Sequence, residues 1–473
     1  MIILEKGEIM NMDSEIKKEN GAKAFEHHNR EGIYDAKQLG IPKTLLLGLQ
    51  HTFAMFGATV LVPLLTGLSV STTLLMAGLG TLLFHLITKG RVPAFLGSSF
   101  AFLGGYAAVA PLKDGVADPT QLAYACGGVF VAGFLYLVVA ALIKLFGAKK
   151  VMRFFPPVVT GPIIIAIGLI LAPSAINNCK TDWVLALIAV AIVIVCNIWG
   201  VGMIKIIPIM LGVLGSYGLA LALGKVDFTT VNQAAWIGIP LKTANFAKFD
   251  LSAIITIVPI ALATMMEHVG DISAIGATTG ENYIANPGLH RTLLGDGLAT
   301  SFSAFFGGPA NTTYGENTGV LALSKVYDPV VMRIAACIAV VLSFSPKFAA
   351  IVSSIPAAII GGVSLILYGM ISAIGVRNVV ENKVDFAKSR NLIVAAVILV
   401  SAIGIEYQSV YNAAGEKVIS SGISFAVGDF NITLSGIAIA AIAGILLNAI
   451  LPGKDYEFRE DKIEHIKEME EGI

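Results

Sequence analysis

The sequence predicts an all-α polytopic membrane protein, and three observations carry that prediction. Of the 473 residues, 56% are hydrophobic and only 14% are charged, and the mean hydropathy is +0.79, whereas soluble domains carry about 25% charged residues. Long apolar runs recur, as in 184–196 and 391–405, and with their flanks they approach the ~20 residues that cross a bilayer as a helix. Short stretches of the first half also recur in the second half, as in transporters built from repeats.

Apolar windows separated by polar breaks indicate fourteen transmembrane segments, of which the third and tenth are short and interrupted by glycine. The segments are 43–66, 71–88, 94–111, 121–146, 156–174, 182–200, 203–224, 251–273, 291–308, 312–324, 329–346, 349–375, 390–406 and 433–452. An even division places seven in each half. The second half would therefore cross the membrane in the opposite direction to the first, which defines a seven-plus-seven inverted repeat.

Three pairs of similar stretches support this repeat. The pairs are "GSSFAFLGG" (97–105) with "NTTYGENTG" (311–319), "PPVVTG" (156–161) with "PAAIIG" (356–361), and "AMFGAT" (54–59) with "EHVGDI" (267–272). The third and tenth segments each begin with residues that tolerate extended backbone. We therefore expect two short antiparallel strands there, each leading into a half-helix and meeting its partner near the membrane centre.

The distribution of charge predicts the orientation of the chain. Most Lys and Arg residues fall in alternate loops, so both termini are expected in the cytoplasm and the protein in the cytoplasmic membrane. The tails 1–42 and 454–473 are polar, and the first has no pattern typical of a cleaved signal peptide. Lys and Arg (32) balance Asp and Glu (32), so nothing indicates nucleic acid as a partner.

Acidic residues interrupt two predicted segments. Glu267 and Asp271 are four residues apart in "MMEHVGDISA" and share a helix face, and Glu316 lies near the start of a predicted half-helix, where the helix dipole favours an anion. Ionisable groups inside a membrane are costly and typically functional. The three carboxyl groups cannot all ionise cheaply at one site, so at least one is expected to carry a proton near neutral pH. The pattern predicts proton-coupled transport, with a capping or helix-linking role as the alternative for each residue.

Several ordered motifs carry a resemblance to a known family. They are "LQHTFAMFGATVLVP" (49–63), "VPAFLGSSFAF" (92–102), "EHVG" (267–270), "NPGLHRTLLGDGLAT" (286–300), "NTTYGENTGV" (311–320) and "GGVSLILYGMI" (361–371). With them the chain resembles the nucleobase–ascorbate transporter family, a nucleobase:cation symporter family, and within it the bacterial uracil permeases. The likeness runs from about Thr44 to Lys388. Two departures are Ser324, where the family signature has Thr, and Asp271, where some uracil permeases have His.

The resemblance implies a core domain made of segments one to four and eight to eleven, and a gate domain made of the others. On this chain the core domain would be 43–154 and 251–346, the gate domain 155–224 and 347–453, and 225–250 an external connection. The resemblance also implies a homodimer formed through the gate domains within the lipid bilayer.

The same resemblance implies a substrate site between the two domains. The implied substrate-binding residues are Glu267, Glu316, Phe100, Gly315, Ala58 and Tyr368. The groups expected to couple transport to a proton are Glu267, Asp271 and Glu316. We therefore expect a proton-coupled uracil importer that uses no cofactor and no metal.

Other functions remain open at this point. A purine (xanthine or urate) permease is the nearest alternative, although Glu316 resembles the pyrimidine branch more than the Gln typical of xanthine carriers. Sodium could replace the proton as the coupling ion. An intramembrane metalloenzyme is disfavoured because no HExxH-type spacing is present. A channel or anion exchanger would favour a neutral or cationic group at position 316.

Overall fold

The structure is a computed structural model that describes residues 32–112, 116–411, 417–420, 422–427, 430–453 and 456. Residues 1–31 of the expected N-terminal tail lie outside the described residues. So does the expected C-terminal tail, 454–473, except for Tyr456.

Helices dominate the described residues. In chain order the main elements are α1 (Ile41–Thr66), α2 (Val70–Ile87), β1 (Leu96–Ser98), α3 (Leu103–Val109), α4 (Pro119–Phe146), α5 (Pro157–Cys179), α6 (Trp183–Trp199), α7 (Pro208–Ala222), α8 (Leu251–Ile257), α9 (Ile260–Thr279), α10 (Leu289–Phe305), β2 (Asn311–Thr313), α11 (Gly315–Ser324), α12 (Val330–Ser343), α13 (Pro346–Ser353), α14 (Ala357–Glu381), α15 (Ser389–Glu406), β3 (Gln408–Tyr411), β4 (Lys417–Ser420), β5 (Ile423–Val427), β6 (Phe430–Leu434) and α16 (Gly436–Ile450). Shorter helical turns are Ala36–Leu39, Ala148–Met152, Met203–Ile206, Thr229–Gln233, Thr243–Asn245 and Ile284–Gly288.

Seven of the described helical segments are long and apolar enough to cross a membrane, and α12 with α13 makes an eighth if that bent pair is one span. The helices α6, α7 and α16 are apolar but shorter. The prediction of a helical, multi-pass membrane protein is therefore confirmed.

Local sequence signals set where several helices begin. Asp118, Asp182 and Asp250 each accept a hydrogen bond from a backbone N–H in the first turn of α4, α6 and α8, which satisfies donors that have no partner within the helix. Pro119 and Pro157 occupy the first position of α4 and α5, where a missing N–H removes no helical hydrogen bond.

The helices pack in pairs that recur between the two halves of the chain. Helix α2 packs along α12, and α4 packs along α10; likewise α6 lies along α14, and α5 lies along both α14 and α15. The neighbouring pairs α6–α7 and α15–α16 also match. If α1–α7 are matched in order with the helices from α8 to α16, each of these contacts has an equivalent contact in which the two halves of the chain are interchanged.

Strands β1 and β2 form a two-stranded antiparallel pair, with Gly97 opposite Thr312. A threonine from a neighbouring helix bonds to the backbone of each strand. Thr81 of α2 accepts from the Leu96 N–H (2.9 Å) and donates to the Leu96 carbonyl (3.1 Å). Thr300 of α10 accepts from the Asn311 N–H (3.2 Å) and donates to the Asn311 carbonyl (3.0 Å). These hydroxyls satisfy backbone groups where neither water nor a third strand is available.

The structure corrects the sequence-based description in two places. Only two strands were expected, but β3 pairs with β4 and β5 pairs with β6, largely between the expected segments 390–406 and 433–452. Alternation in "ISFAV" and "FNITL" is a strand signal that a search for apolar windows does not detect. The expected segment 349–375 is also divided, because α13 ends at Ser353 and α14 begins at Ala357 after Pro356.

Candidate functional site

The candidate site lies where the chain leaves the paired strands and enters two short helices. Phe100 follows β1 by two residues and precedes α3, and Gly315 follows β2 by two residues and is the first residue of α11. Glu316 is therefore in the first turn of α11, where unpaired N–H groups and the helix dipole favour an acidic side chain. The position of Glu316 at a helix N-terminus agrees with the sequence-based prediction.

The helix faces that carry the two glutamates are open. Around α11, a Cβ atom built at Gly315 or Gly319 would meet no atom within 4 Å, and the same holds for Gly270 on α9. Gly319 is three residues from Glu316, and Gly270 is three residues from Glu267, so each glycine lies on the face of its glutamate. At these glycines no neighbouring atom packs against the helix face that carries each carboxyl group.

Four carboxyl groups from three helices are close enough to interact electrostatically. Glu267 lies within Coulombic range of Asp296 and Glu316, and Asp271 lies within range of the other three. Asp271 accepts a hydrogen bond of 2.8 Å from the Thr313 hydroxyl, so α9 is joined to β2. The structure therefore brings together the three residues expected to couple transport to a proton, Glu267, Asp271 and Glu316.

Asp296 is a member of this cluster that the sequence analysis did not select. It is fully buried in α10, and its Oδ2 lies 3.1 Å from Nδ1 of His268, which is also fully buried. The available signal was an acidic residue inside an apolar segment, in "LLGDGLAT". His268 points towards Asp296 and lies edge-on against Phe84, with 6.3 Å between the ring centroids.

Tyr314 holds the strand pair to α1. Its hydroxyl donates to the Ser98 carbonyl (3.0 Å) and lies 3.3 Å from Oγ1 of Thr59, which donates to it. The Ser98 hydroxyl in turn donates to the Thr59 carbonyl (2.9 Å). The ring covers Gly97, where an added Cβ atom would lie 2.3 Å from two ring carbons. Tyr314 is thus a packing residue with a satisfied hydroxyl.

The remaining predicted site residues differ in how deeply they are buried. Ala58 is buried on α1 next to Thr59. Phe100 is half-buried and packs against all three hydrophobic clusters of the described residues. Tyr368 is buried on α14 and belongs to one of those clusters. In the part of the chain that the structure describes, neither Ala58 nor Tyr368 forms a hydrogen bond to Glu267 or Glu316, so their proximity to a ligand stays a prediction.

A cavity of about 120 Å³ reaches Glu316 from the side of α6 and α7. Besides Glu316, its polar lining consists of Asn197, at the end of α6, and Lys205, in the turn Met203–Ile206. Apolar residues of α1, α7 and α14 complete the wall. Of the predicted site residues only Glu316 lines this cavity, and the sequence analysis missed both Asn197 and Lys205.

The donor set suits hydrogen bonding to a neutral polar ligand better than metal binding. Carboxyl oxygens accept from N–H groups, and the first N–H groups of α11 can donate to carbonyl oxygens. Over the part of the chain that the structure describes, no group of three or more His, Cys, Asp or Glu residues has the arrangement to hold a metal ion.

Helices long enough to cross a membrane, with two short helices that begin at paired strands beside buried carboxyl groups, are typical of membrane transport proteins. Comparison with known proteins agrees. The model of the xanthine and uracil permeases, described as a permease family, matches residues 42–410. The chain belongs to this family, the nucleobase–ascorbate transporters, and is a transport protein of that family and not an enzyme.

Relatives match over nearly the whole chain. A uracil permease of Bacillus caldolyticus is 42% identical over 439 residues, covering 89% of this chain and 96% of that protein. A uracil permease of Bacillus subtilis is 39% identical, covering 88% and 94%. The putative pyrimidine permease RutG of Escherichia coli is 39% identical, covering 91% and 94%.

Solved structures of more distant proteins share the fold. The transmembrane domain of a cyanobacterial bicarbonate transporter, BicA, matches with a TM-score of 0.57 at 15% identity, covering 88% of this chain and 99% of that one. The anion transporter SLC26A9 matches with a TM-score of 0.62 at 12% identity, covering 88% and 66%. At this level of identity the likeness concerns the fold alone.

Proposed function

We propose that this protein imports uracil together with a proton by alternating access. The observation that carries the proposal is the position of Glu267 and Glu316 on open helix faces at the strand crossing. Relatives named uracil permeases are about 40% identical over most of the chain. Uracil offers two N–H donors and two carbonyl acceptors, which complement carboxyl oxygens and helix N–H groups.

Each predicted site residue has a stated role in this proposal. Glu267 and Glu316 accept hydrogen bonds from the ligand, and the backbone at Phe100 and Gly315 supplies further polar groups. Ala58 and Tyr368 shape the wall of the site. These last two are buried on α1 and α14, one from each of the domains proposed to enclose the ligand.

The coupling step follows from the clustered carboxyl groups. Several carboxylates in one low-dielectric site repel one another and lose hydration, so a proton taken up with the substrate would lower the cost of loading. Loss of that proton on the cytoplasmic side would weaken binding and favour release. Glu267 is the leading proton-linked group, with Asp271 and Glu316 as its partners.

The proposed architecture is fourteen segments in two inverted repeats. The recurrence of helix pairs, and of one threonine per strand at Thr81 and Thr300, supports that repeat. The core domain would comprise 43–154 and 251–346, and the gate domain 155–224 and 347–453, with 225–250 external. Both termini would be cytoplasmic, in the inner membrane, and the gate domains would form the homodimer within the lipid bilayer.

Uptake of radiolabelled uracil by cells that express Glu267→Gln or Glu316→Gln tests the site. We expect each variant to reach the membrane and to lose most uptake, because an amide cannot reproduce either the charge or the double acceptor. Thr278→Ala, at a half-buried position on α9 whose hydroxyl donates to the Ala274 carbonyl, is the control. Wild-type uptake in both glutamine variants would refute the site.

Two further measurements separate the alternatives. Unlabelled xanthine or urate in excess should leave uracil uptake unchanged, whereas competition would indicate a purine permease. Collapse of the pH gradient at constant sodium should abolish accumulation. Accumulation that survives this treatment and follows sodium would replace the proton by sodium as the coupling ion.

A further inference from the structure

The cavity beside Glu316 is also lined by a lysine that has no role in the proposed site. Lys205 and Glu316 line the same cavity of about 120 Å³, with Asn197 as the other polar residue. The turn that carries Lys205, Met203–Ile206, also packs against α11, the half-helix that begins beside Glu316. A base and an acid therefore face one small space from two different elements.

Lys205 is free to move within that space. Its residue is exposed, and among the described residues it takes part in no ion pair with Asp or Glu. The turn begins after Gly202, whose φ of 60° and open surroundings leave the backbone unobstructed there. A lysine ammonium on a flexible four-carbon chain can reach several ångströms.

The position of Lys205 along the chain indicates the side of the membrane from which it approaches Glu316. The turn joins α6 to α7, and the distribution of Lys and Arg places this loop on the cytoplasmic side. Helix α11 runs from Glu316 towards Lys325, which the same orientation also places inside. The cavity thus connects the proposed ligand carboxylate with the side to which the substrate is released.

We propose that Lys205 is a release residue, whose ammonium competes with the ligand for the Glu316 carboxylate from the cytoplasmic side. The inference rests on the proposed function, because it assumes that Glu316 accepts a hydrogen bond from the ligand. A carboxylate that pairs with a nearby ammonium offers less to an N–H donor of the ligand. Because Lys205 lies on the proposed gate domain and Glu316 on the core domain, the pair forms only in conformations where the two approach.

The test is a binding titration of purified protein with radiolabelled uracil, together with its dissociation rate. Lys205→Met keeps the length of the side chain but removes the charge, and we expect Kd to fall about tenfold, equal to ~1.4 kcal/mol, mainly through slower dissociation. Lys205→Arg keeps the charge and should stay within about twofold. Lys144→Met, which removes a lysine from the last turn of α4 outside the cavity, is the matched control and should also stay within twofold.

The direction of the change separates this role from a structural one. A variant that merely disturbed the fold would bind uracil more weakly, so an unchanged or raised Kd in Lys205→Met refutes the inference. Glu316→Gln, measured in parallel, tests the proposed function. Wild-type affinity of Glu316→Gln would refute both, whereas loss of binding in Glu316→Gln with unchanged Kd in Lys205→Met would refute only the role of Lys205.

Discussion

The substitution Thr300→Val tests how the strand pair is stabilised inside the membrane. Thr300 is fully buried on α10, and its single hydroxyl bonds to both the N–H and the carbonyl of Asn311. Valine has nearly the same shape but neither donates nor accepts, so the substitution leaves both backbone groups of Asn311 without this partner. The effect on stability is therefore separable from a change in packing volume.

The expected loss of stability follows from the N–H and the carbonyl of Asn311, which both lose a hydrogen-bond partner. A buried polar group that loses its partner costs about 1–3 kcal/mol, so two such groups would cost about 2–6 kcal/mol. Unfolded segments in a membrane also find hydrogen-bond partners, and measured side-chain contributions there average about 0.6 kcal/mol. We therefore expect Thr300→Val to lower the free energy of unfolding by about 2–3 kcal/mol, near the lower end of the first range.

The assay is thermal unfolding of the detergent-purified protein, with two controls. Thr300→Ser keeps the hydroxyl and should lose less than about 1 kcal/mol. Thr292→Val makes the same change two turns earlier on α10, at a residue that is equally buried but whose hydroxyl only donates to the Leu289 carbonyl. If Thr300→Val were no less stable than Thr292→Val, the hydroxyl would not be what satisfies the strand, and the reasoning would be wrong.

Two more predictions concern other parts of the fold. Gly97→Ala would place a Cβ atom 2.3 Å from the ring of Tyr314, so we expect the free energy of unfolding to fall by about 1–3 kcal/mol in the same assay. Gly104→Ala is the control and should be tolerated, because its Cβ atom would meet no atom within 4 Å. Equal stability of the two variants would contradict the packing argument. Asp182 precedes the first residue of α6, and the hydrogen bond from Lys225 lowers the pKa of Asp182 below its ordinary 3.8. A lowered pKa stabilises the folded state above the ordinary value and loses that contribution as the pH falls through the folded pKa. Asp182→Asn should therefore be less stable than wild type near neutral pH, and the difference should disappear in acid; a difference that persists there would contradict the ion pair.

Helix positions were predictable from composition because the bilayer imposes length and apolarity together. The expected segments 43–66 and 390–406 compare with Ile41–Thr66 and Ser389–Glu406 in the structure. Composition does not show, however, where the chain changes direction between two apolar helices. Helices α12 and α13 are bent by 90° at a short break, although the pair together is long and apolar enough to pass for one span. The separation of α13 from α14 depends on backbone geometry at Ser354–Pro356.

The site was predictable where acidic residues contrasted with their surroundings. Glu267 and Glu316 stood out within apolar segments, and the structure places both on open helix faces. Asp296 carried the same signal within the predicted segment 291–308, between two glycines, and was not selected. Lys205 lies at the start of the predicted segment 203–224, where a lysine that reaches the membrane surface is ordinary. Its relation to Glu316 emerges only from the fold, which places the turn Met203–Ile206 against α11.

The threonines explain how the proposed substrate site can lie at the strand pair. Two unwound stretches inside a membrane carry backbone groups that water cannot reach. The strands satisfy part of this demand in their own pairing, and the Thr81 and Thr300 hydroxyls satisfy Leu96 and Asn311 at the outer edges. What stays available is the start of each half-helix, beside Phe100 and in the first turn of α11. The backbone groups that could bind a ligand are therefore concentrated at these helix starts, because the strand pairing and the two threonine hydroxyls already satisfy the neighbouring backbone groups.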